Sequence, residues 1–120
     1  MIGNLMKKTI DIDFDGTIRS NPTSWKGATV IDDPPLPGIR ESIESIRSAG
    51  YEVVIVSYRC EHPRGKDAIQ SYLSEHNIVV DDVVAVKPRA MCYVDSRAVN
   101  FDGHPDTLLD KIKGFKHWSD

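Results

Sequence analysis

Two cysteines, Cys60 and Cys92, are too few in 120 residues for a disulfide framework. Cys60 falls in a loop-like segment and Cys92 in a strand-like one, so both read as free thiols of a reducing compartment. No apolar run approaches the roughly 20 residues needed to span a bilayer. Met1 to Lys8 carry neither the apolar core nor the small-residue cleavage site of a signal peptide. These absences point to a cytoplasmic protein without a membrane partner. There is no internal repeat and no low-complexity segment. A net charge of −3 supplies no blanket attraction for nucleic acid, so any such contact has to be local. His62, His76, His104 and His117 lack metal-ligand spacing and read as surface or helix-end residues.

What is present is an ordinary globular composition, 40% hydrophobic and 28% charged. It predicts one domain over residues 1–120, with residues 1–7 as a flexible N-terminal extension. Thr9 to Phe14 alternates apolar and polar residues, the period of a half-buried strand. Residues 16–37 contain Pro22, Pro34, Pro35 and Pro37, a density that forbids a regular helix. Ile39, Ile43 and Ile46 then share a helical face that should end at Gly50. Tyr51 to Ser57 is a short β-branched run that reads as a buried strand. A second helix is expected from Lys66 to His76, with Ile69, Tyr72 and Leu73 inward. Short strands follow within Ile78 to Val86, interrupted at Asp81-Asp82, and at Met91 to Val94. A last helix begins near Pro105 and runs to Lys113. Such alternation predicts an α/β fold, a Rossmann-like three-layer sandwich around a central, mainly parallel sheet.

The segment Asp13-Phe14-Asp15-Gly16-Thr17 places two carboxylates where the first strand runs out. Ligands of open α/β sheets bind beyond the carboxyl ends of the strands. Two carboxylates held there repel unless a cation or a shared proton relieves them. Mg²⁺ suits the place, because it takes oxygen ligands and keeps waters that a phosphate can replace. Taken alone, the segment suits an Asp-Gly turn between two strands equally well. Further along, Ser57 and Asp95 also close strands, and Lys87 follows another. In a parallel sheet these ends share one edge. The loops over residues 14–36, 58–66 and 87–97 hold eight basic and five acidic residues, against seven and thirteen elsewhere. A basic edge on an acidic chain is arranged to receive an anion.

The ordered set Asp13-x-Asp15-Gly16-Thr17, Ser57, Lys87 and Asp95 resembles the haloacid dehalogenase superfamily of phosphohydrolases. Three further segments resemble a group of small, capless, phage- and bacterial-type phosphatases. These are Trp25-Lys26-Gly27 with Asp33-Pro34-Pro35-Leu36-Pro37-Gly38, then Ser57-Tyr58-Arg59, and Lys87-Pro88-Arg89-Ala90 with Tyr93-Val94-Asp95-Ser96-Arg97-Ala98. The resemblance implies a nucleophile at Asp13 and a general acid and base at Asp15. Gly16, Ser57, Tyr58 and Lys87 would bind the phosphate. Asp13, the backbone carbonyl of Asp15 and Asp95 would hold Mg²⁺.

Two positions depart from that pattern. Ser96 stands where a second acid often follows the metal-binding aspartate, which implies weaker Mg²⁺ binding. Asp11 lies within the strand, on the same side as Asp13, where an apolar or small residue would be easier to bury. The stretches Thr17 to Pro37 and Ser57 to Lys87 are too short for a cap domain, so the site should be open. An open site suits large substrates such as nucleic-acid ends or phosphoproteins, or needs a partner subunit of a homo-oligomer as its lid. The expected partner is a phosphorylated substrate, whether small molecule, nucleotide or nucleic-acid end. Trp25 and Tyr58 flank the expected mouth and either stack on a base or sugar or pack on their own loops. Cys60, near Arg59, reads as a spectator. Asp32-Asp33 and Asp81-Asp82 read as solvated turn acids, and Phe115 and Trp118 as anchors of the C-terminal tail on the sheet. The alternative function is a catalytically weakened phosphate-binding module or a phospho-accepting regulatory one.

Overall fold

Alternation along Thr9-Ile10-Asp11-Ile12-Asp13 produces strand β1 (Thr9–Asp13), which lies inside a four-stranded sheet. The computed structural model describes residues 7–20 and 23–118. Apart from Lys7, the expected N-terminal extension lies outside the described residues, as does Pro22. Helix α1 (Ile39–Ser48) leads to β2 (Glu52–Val56), and helix α2 (Gly65–Glu75) to β3 (Asp82–Val84). Strand β4 (Cys92–Val94) follows, and the short helix α3 (Leu108–Lys113) continues a 3₁₀ turn over Pro105–Thr107. No inserted domain interrupts this order among the described residues.

The strand order is β3-β2-β1-β4 and every pairing is parallel. Parallel partners face the same side, so Ile10 and Ile12 share a face with Val53, Ile55 and Val83. That face meets Ile43 of α1 and Ile69, Tyr72 and Leu73 of α2 in one buried cluster. Both helices therefore cover the same side, as right-handed crossovers stepping from β1 to β2 to β3 require. The chain then returns past β1 to form β4. The direction of winding reverses beside β1, which makes its carboxyl end the switch point of this Rossmann-like α/β sandwich.

Both long helices end by the same device. Gly50, at φ 98°, donates to the Arg47 carbonyl, and Tyr51 N reaches back to Ile46 O. Asn77, at φ 58°, repeats the pattern with Ser74, and Ile78 N with Leu73 O. Ile78 is buried against the same core as Leu73, the apolar contact that accompanies this cap.

Two expectations about acids need correction. Asp82 lies within β3, and Asp81 is not a free turn acid. Its Oδ2 accepts from Val53 N at 2.8 Å and from Arg47 Nε at 3.2 Å. These bonds tie the end of α1 to the start of β3 across β2.

Candidate functional site

Asp13, the last residue of β1, is half-buried and faces a cleft of about 370 Å³ that Ser57, Tyr58, Trp25 and Arg97 also line. Burial pushes its carboxyl up to about 6, and the nearby Asp95 carboxylate adds to the rise. The Phe14 amide works in the opposite direction by hydrogen-bonding the charged form. Asp13 is thus a carboxylate short of solvent and crowded by like charge, the condition that a cation relieves.

The chain must turn sharply after Asp13. Ile18 N and Arg19 N both donate to the Phe14 carbonyl, at 2.9 and 3.0 Å. Gly16 adopts φ 80°, and a Cβ there would stand 3.0 Å from Ser96 Oγ. Beyond the turn, residues 18–20 run against 34–36 through Ser20 N to Pro34 O and Leu36 N to Ile18 O. These bonds close residues 23–33 into a loop beside the cleft.

Asp15 is held on both oxygens. Arg19 Nε donates to Oδ1 at 2.8 Å, while Arg59 donates through Nε to Oδ2 at 2.9 Å and through Nη2 to Oδ1 at 3.0 Å. Arg19 also pairs with the buried Asp33, which accepts from Thr23 Oγ1 at 2.7 Å and whose carbonyl receives the Tyr72 hydroxyl. Asp33 is therefore a buried organiser of the loop and not a solvated turn acid.

Arg59 is 1% exposed, one of the most deeply buried side chains present. Its Nη1 donates to the carbonyls of Gly27, Ala28 and Val30 at 3.0, 3.0 and 3.2 Å. Its guanidinium lies 4.3 Å from the Trp25 ring centroid. One side chain thus joins the Asp15 carboxylate, the loop backbone and an aromatic ring. The sequence places Arg19 in a basic edge and Arg59 in that edge and in the Ser57-Tyr58-Arg59 segment, and it assigns neither a role in holding Asp15. The available signal was Arg59's place two residues past a strand-ending serine.

Ser57 is buried, and its Oγ accepts from Arg59 N at 3.2 Å, capping the 3₁₀ turn Tyr58–Glu61. That bond uses an oxygen lone pair and leaves the hydroxyl proton for an anion in the cleft. Tyr58 and Trp25 stack on each other across two loops, with centroids 5.5 Å apart and planes at 25°. Asp95 is exposed, and its Oδ1 accepts from Arg97 N at 2.8 Å.

Lys87 stands apart from this group. It is exposed, does not line the cleft, and holds its ammonium 4.2 Å from the Tyr93 ring centroid. Its charge acts on Asp11, where it offsets part of the rise that burial imposes on that carboxyl. Asp11 is buried, and its Oδ1 and the Thr17 hydroxyl lack hydrogen-bond partners among the described residues. Two cations line the cleft: Arg19, which pairs with Asp15 and Asp33, and Arg97, which makes no ion pair among the described residues.

The C-terminal segment also reaches the site. His117 is buried with Nε2 3.0 Å from Ser96 Oγ, and Trp118 Nε1 donates to the Gly16 carbonyl at 3.0 Å. His117 is therefore not a surface residue, and Trp118 anchors on the glycine turn and not on the sheet. Burial pushes the Cys60 thiol up, against any activation by Arg59.

Among the described residues no group of three or more His, Cys, Asp or Glu side chains could hold a metal ion. Asp13 and Asp95 are the two carboxylates whose mutual repulsion marks a place for one, and any further oxygen ligand would have to be backbone, hydroxyl or water. Elsewhere, a shallower hollow of about 520 Å³ runs along α2, lined by Asp67, Gln70, Ser71, Ser74 and Glu75.

Fold and site together define a small Rossmann-like α/β protein with a carboxylate-bearing cleft at the switch point of its parallel sheet. No protein-family model matches the chain, and no curated protein matches it. Its fold is similar to the crystal structure of an MCSG target from Vibrio cholerae, at 20% identity and a TM-score of 0.55, over 88% of this chain and 97% of that one. At that identity the likeness speaks for the fold alone. No helix among the described residues is long and apolar enough to cross a membrane.

Proposed function

We propose that the protein is a Mg²⁺-dependent phosphohydrolase of the haloacid dehalogenase type that cleaves a phosphate monoester through an aspartyl phosphate. The observation that carries this reading is Asp13: a half-buried carboxylate at the switch point, raised to about 6 by burial and by Asp95, facing a cleft with Ser57. Asp13 and Asp95 would hold Mg²⁺, which when bound would neutralise charge on the phosphate and on the carboxylates.

An Asp13 oxygen attacks phosphorus in line, and the ester P–O bond breaks as the new bond forms. Asp15 gives its proton to the departing oxygen. Water then attacks phosphorus, Asp15 takes the proton back, and the Asp13 carboxylate is released with inorganic phosphate. Ser57 donates its hydroxyl proton to a phosphate oxygen, and Arg97 supplies a positive charge at the cleft wall. Both Asp15 oxygens already accept from guanidinium groups, so proton transfer requires that one of those bonds be exchanged for the leaving oxygen.

That engagement of Asp15 favours one second reading, a phosphate-binding module without turnover. The two are separated by Mg²⁺-dependent release of phosphate from p-nitrophenyl phosphate. Release that disappears in Asp13→Asn supports the phosphatase; phosphate binding without release supports the module.

A further inference from the structure

Trp25 and Tyr58 form an exposed aromatic platform at the rim of a cleft whose floor is polar. Tyr58 is 63% exposed and Trp25 48%, whereas Ser57 is buried and Asp13 half-buried. Exposed rings on loops usually lack fixed positions, but these two are held. Trp25 is held by the Arg59 guanidinium, which is itself bound to three loop carbonyls and to Asp15. Tyr58 opens a 3₁₀ turn capped by its neighbour Ser57, so its ring lies one residue from a floor hydroxyl.

We propose, resting on the phosphatase reading above, that the substrate is a phosphorylated nucleoside whose base stacks on the Trp25–Tyr58 platform while its phosphate lies at Asp13 and Ser57. Pre-positioned rings lose little freedom when a ligand stacks on them, which is how a rigid surface gains affinity. Ser57 and Asp13 lie at the buried floor and the two rings at the exposed rim, so phosphate and base are assigned to different levels of the cleft. The cleft volume of about 370 Å³ lies at the lower end of the range for small-molecule sites and exceeds what a bare phosphate needs. No cap domain is present among the described residues to recognise the leaving group, so the platform takes that role. Stacking on an aromatic side chain contributes about 1–3 kcal/mol per base and tolerates different bases.

The test has two arms. In the first, phosphate release is compared for 3′- and 5′-nucleoside monophosphates, ribose 5-phosphate and phosphotyrosine, with Mg²⁺. Nucleoside monophosphates are expected to exceed ribose 5-phosphate in kcat/KM by about tenfold or more. Tyr58→Ala should erase that ratio, chiefly through KM, and Tyr58→Phe should restore it. In the second arm, a nucleoside monophosphate is added to the Asp13→Asn protein and tryptophan fluorescence is followed. Quenching is expected, and Trp25→Phe should abolish it. Equal use of ribose 5-phosphate together with no quenching overturns the platform and leaves the phosphatase standing. Quenching without phosphate release from any substrate overturns the phosphatase and keeps the ring site. Preference for phosphotyrosine overturns the nucleoside assignment.

Discussion

Arg59 grips Asp15 with two prongs, Nε to Oδ2 at 2.9 Å and Nη2 to Oδ1 at 3.0 Å, across 44 positions of sequence. The third nitrogen of the same guanidinium, Nη1, donates to three carbonyls of the loop that carries Trp25. Removing it leaves a half-paired carboxylate and three carbonyls without their donor. Arg59→Ala should therefore destabilise the fold by about 3–5 kcal/mol, the usual result of breaking one partner of a buried pair. Arg59→Lys keeps the charge but not the fork, and should recover only part of that loss. Urea titration of the three proteins checks both statements. Equal stability of Arg59→Ala and wild type would show that the network contributes nothing net.

Asp13 has a folded-state carboxyl raised above its unfolded value of 3.8, to about 6. The native state therefore binds the proton more tightly than the unfolded chain. Between about pH 4 and pH 6 the metal-free wild type should lose stability relative to Asp13→Asn as pH rises, with a constant gap above. Partial exposure screens the charge, so the gap should plateau near 2 kcal/mol. Melting curves from pH 4 to pH 8 in chelator measure it, and a gap that widens on acidification would reverse the sign and refute the account. Adding Mg²⁺ at pH 7 should raise the wild-type midpoint and shift Asp13→Asn much less.

Gly16→Ala places a Cβ 3.0 Å from Ser96 Oγ, on a backbone at φ 80°. The left-handed conformation alone disfavours alanine, and the contact displaces Ser96 as well. The expected loss is about 1–3 kcal/mol. Turnover should fall further than stability, because the strained turn is the one that directs Asp15. Thermal melts paired with phosphate-release rates separate these effects.

Trp118 closes the other side of that turn through its indole N–H to the Gly16 carbonyl. Trp118→Phe keeps most of the ring and removes the donor, at a cost of about 1 kcal/mol. A variant ending at Gly114 loses His117 as well and should melt earlier than Trp118→Phe. Coincident melting of the two would show that the tail adds nothing beyond that single bond.

The parts of the site legible in the sequence are those set by chain periodicity. Asp13 and Ser57 stand at strand ends as the sequence predicts: Asp13 closes the alternating run Thr9–Asp13, and Ser57 follows the apolar run that ends at Val56. Helix stops were legible for a related reason: Gly50 supplies a positive φ at no steric cost. The hidden parts are paired over long separations. Arg19 with Asp33 and Arg59 with Asp15 are ordinary charged residues until the loops bring them together. Lys87 shows the converse, a residue in plausible order along the chain whose ammonium settles on Tyr93 outside the cleft.

By itself the sequence determined the strand and helix order, the parallel sheet and the convergence of Asp13 and Ser57 on one edge. Backbone periodicity and φ preference are local properties that can be read from neighbouring residues. Only the tertiary structure decided that Asp15 is held between two guanidinium groups, that His117 and Trp118 brace the turn after Asp13, and that Trp25 meets Tyr58. Those outcomes depend on which side chains share a small buried volume once the sheet closes. There, charge pairing and packing choose partners without regard to their distance along the chain.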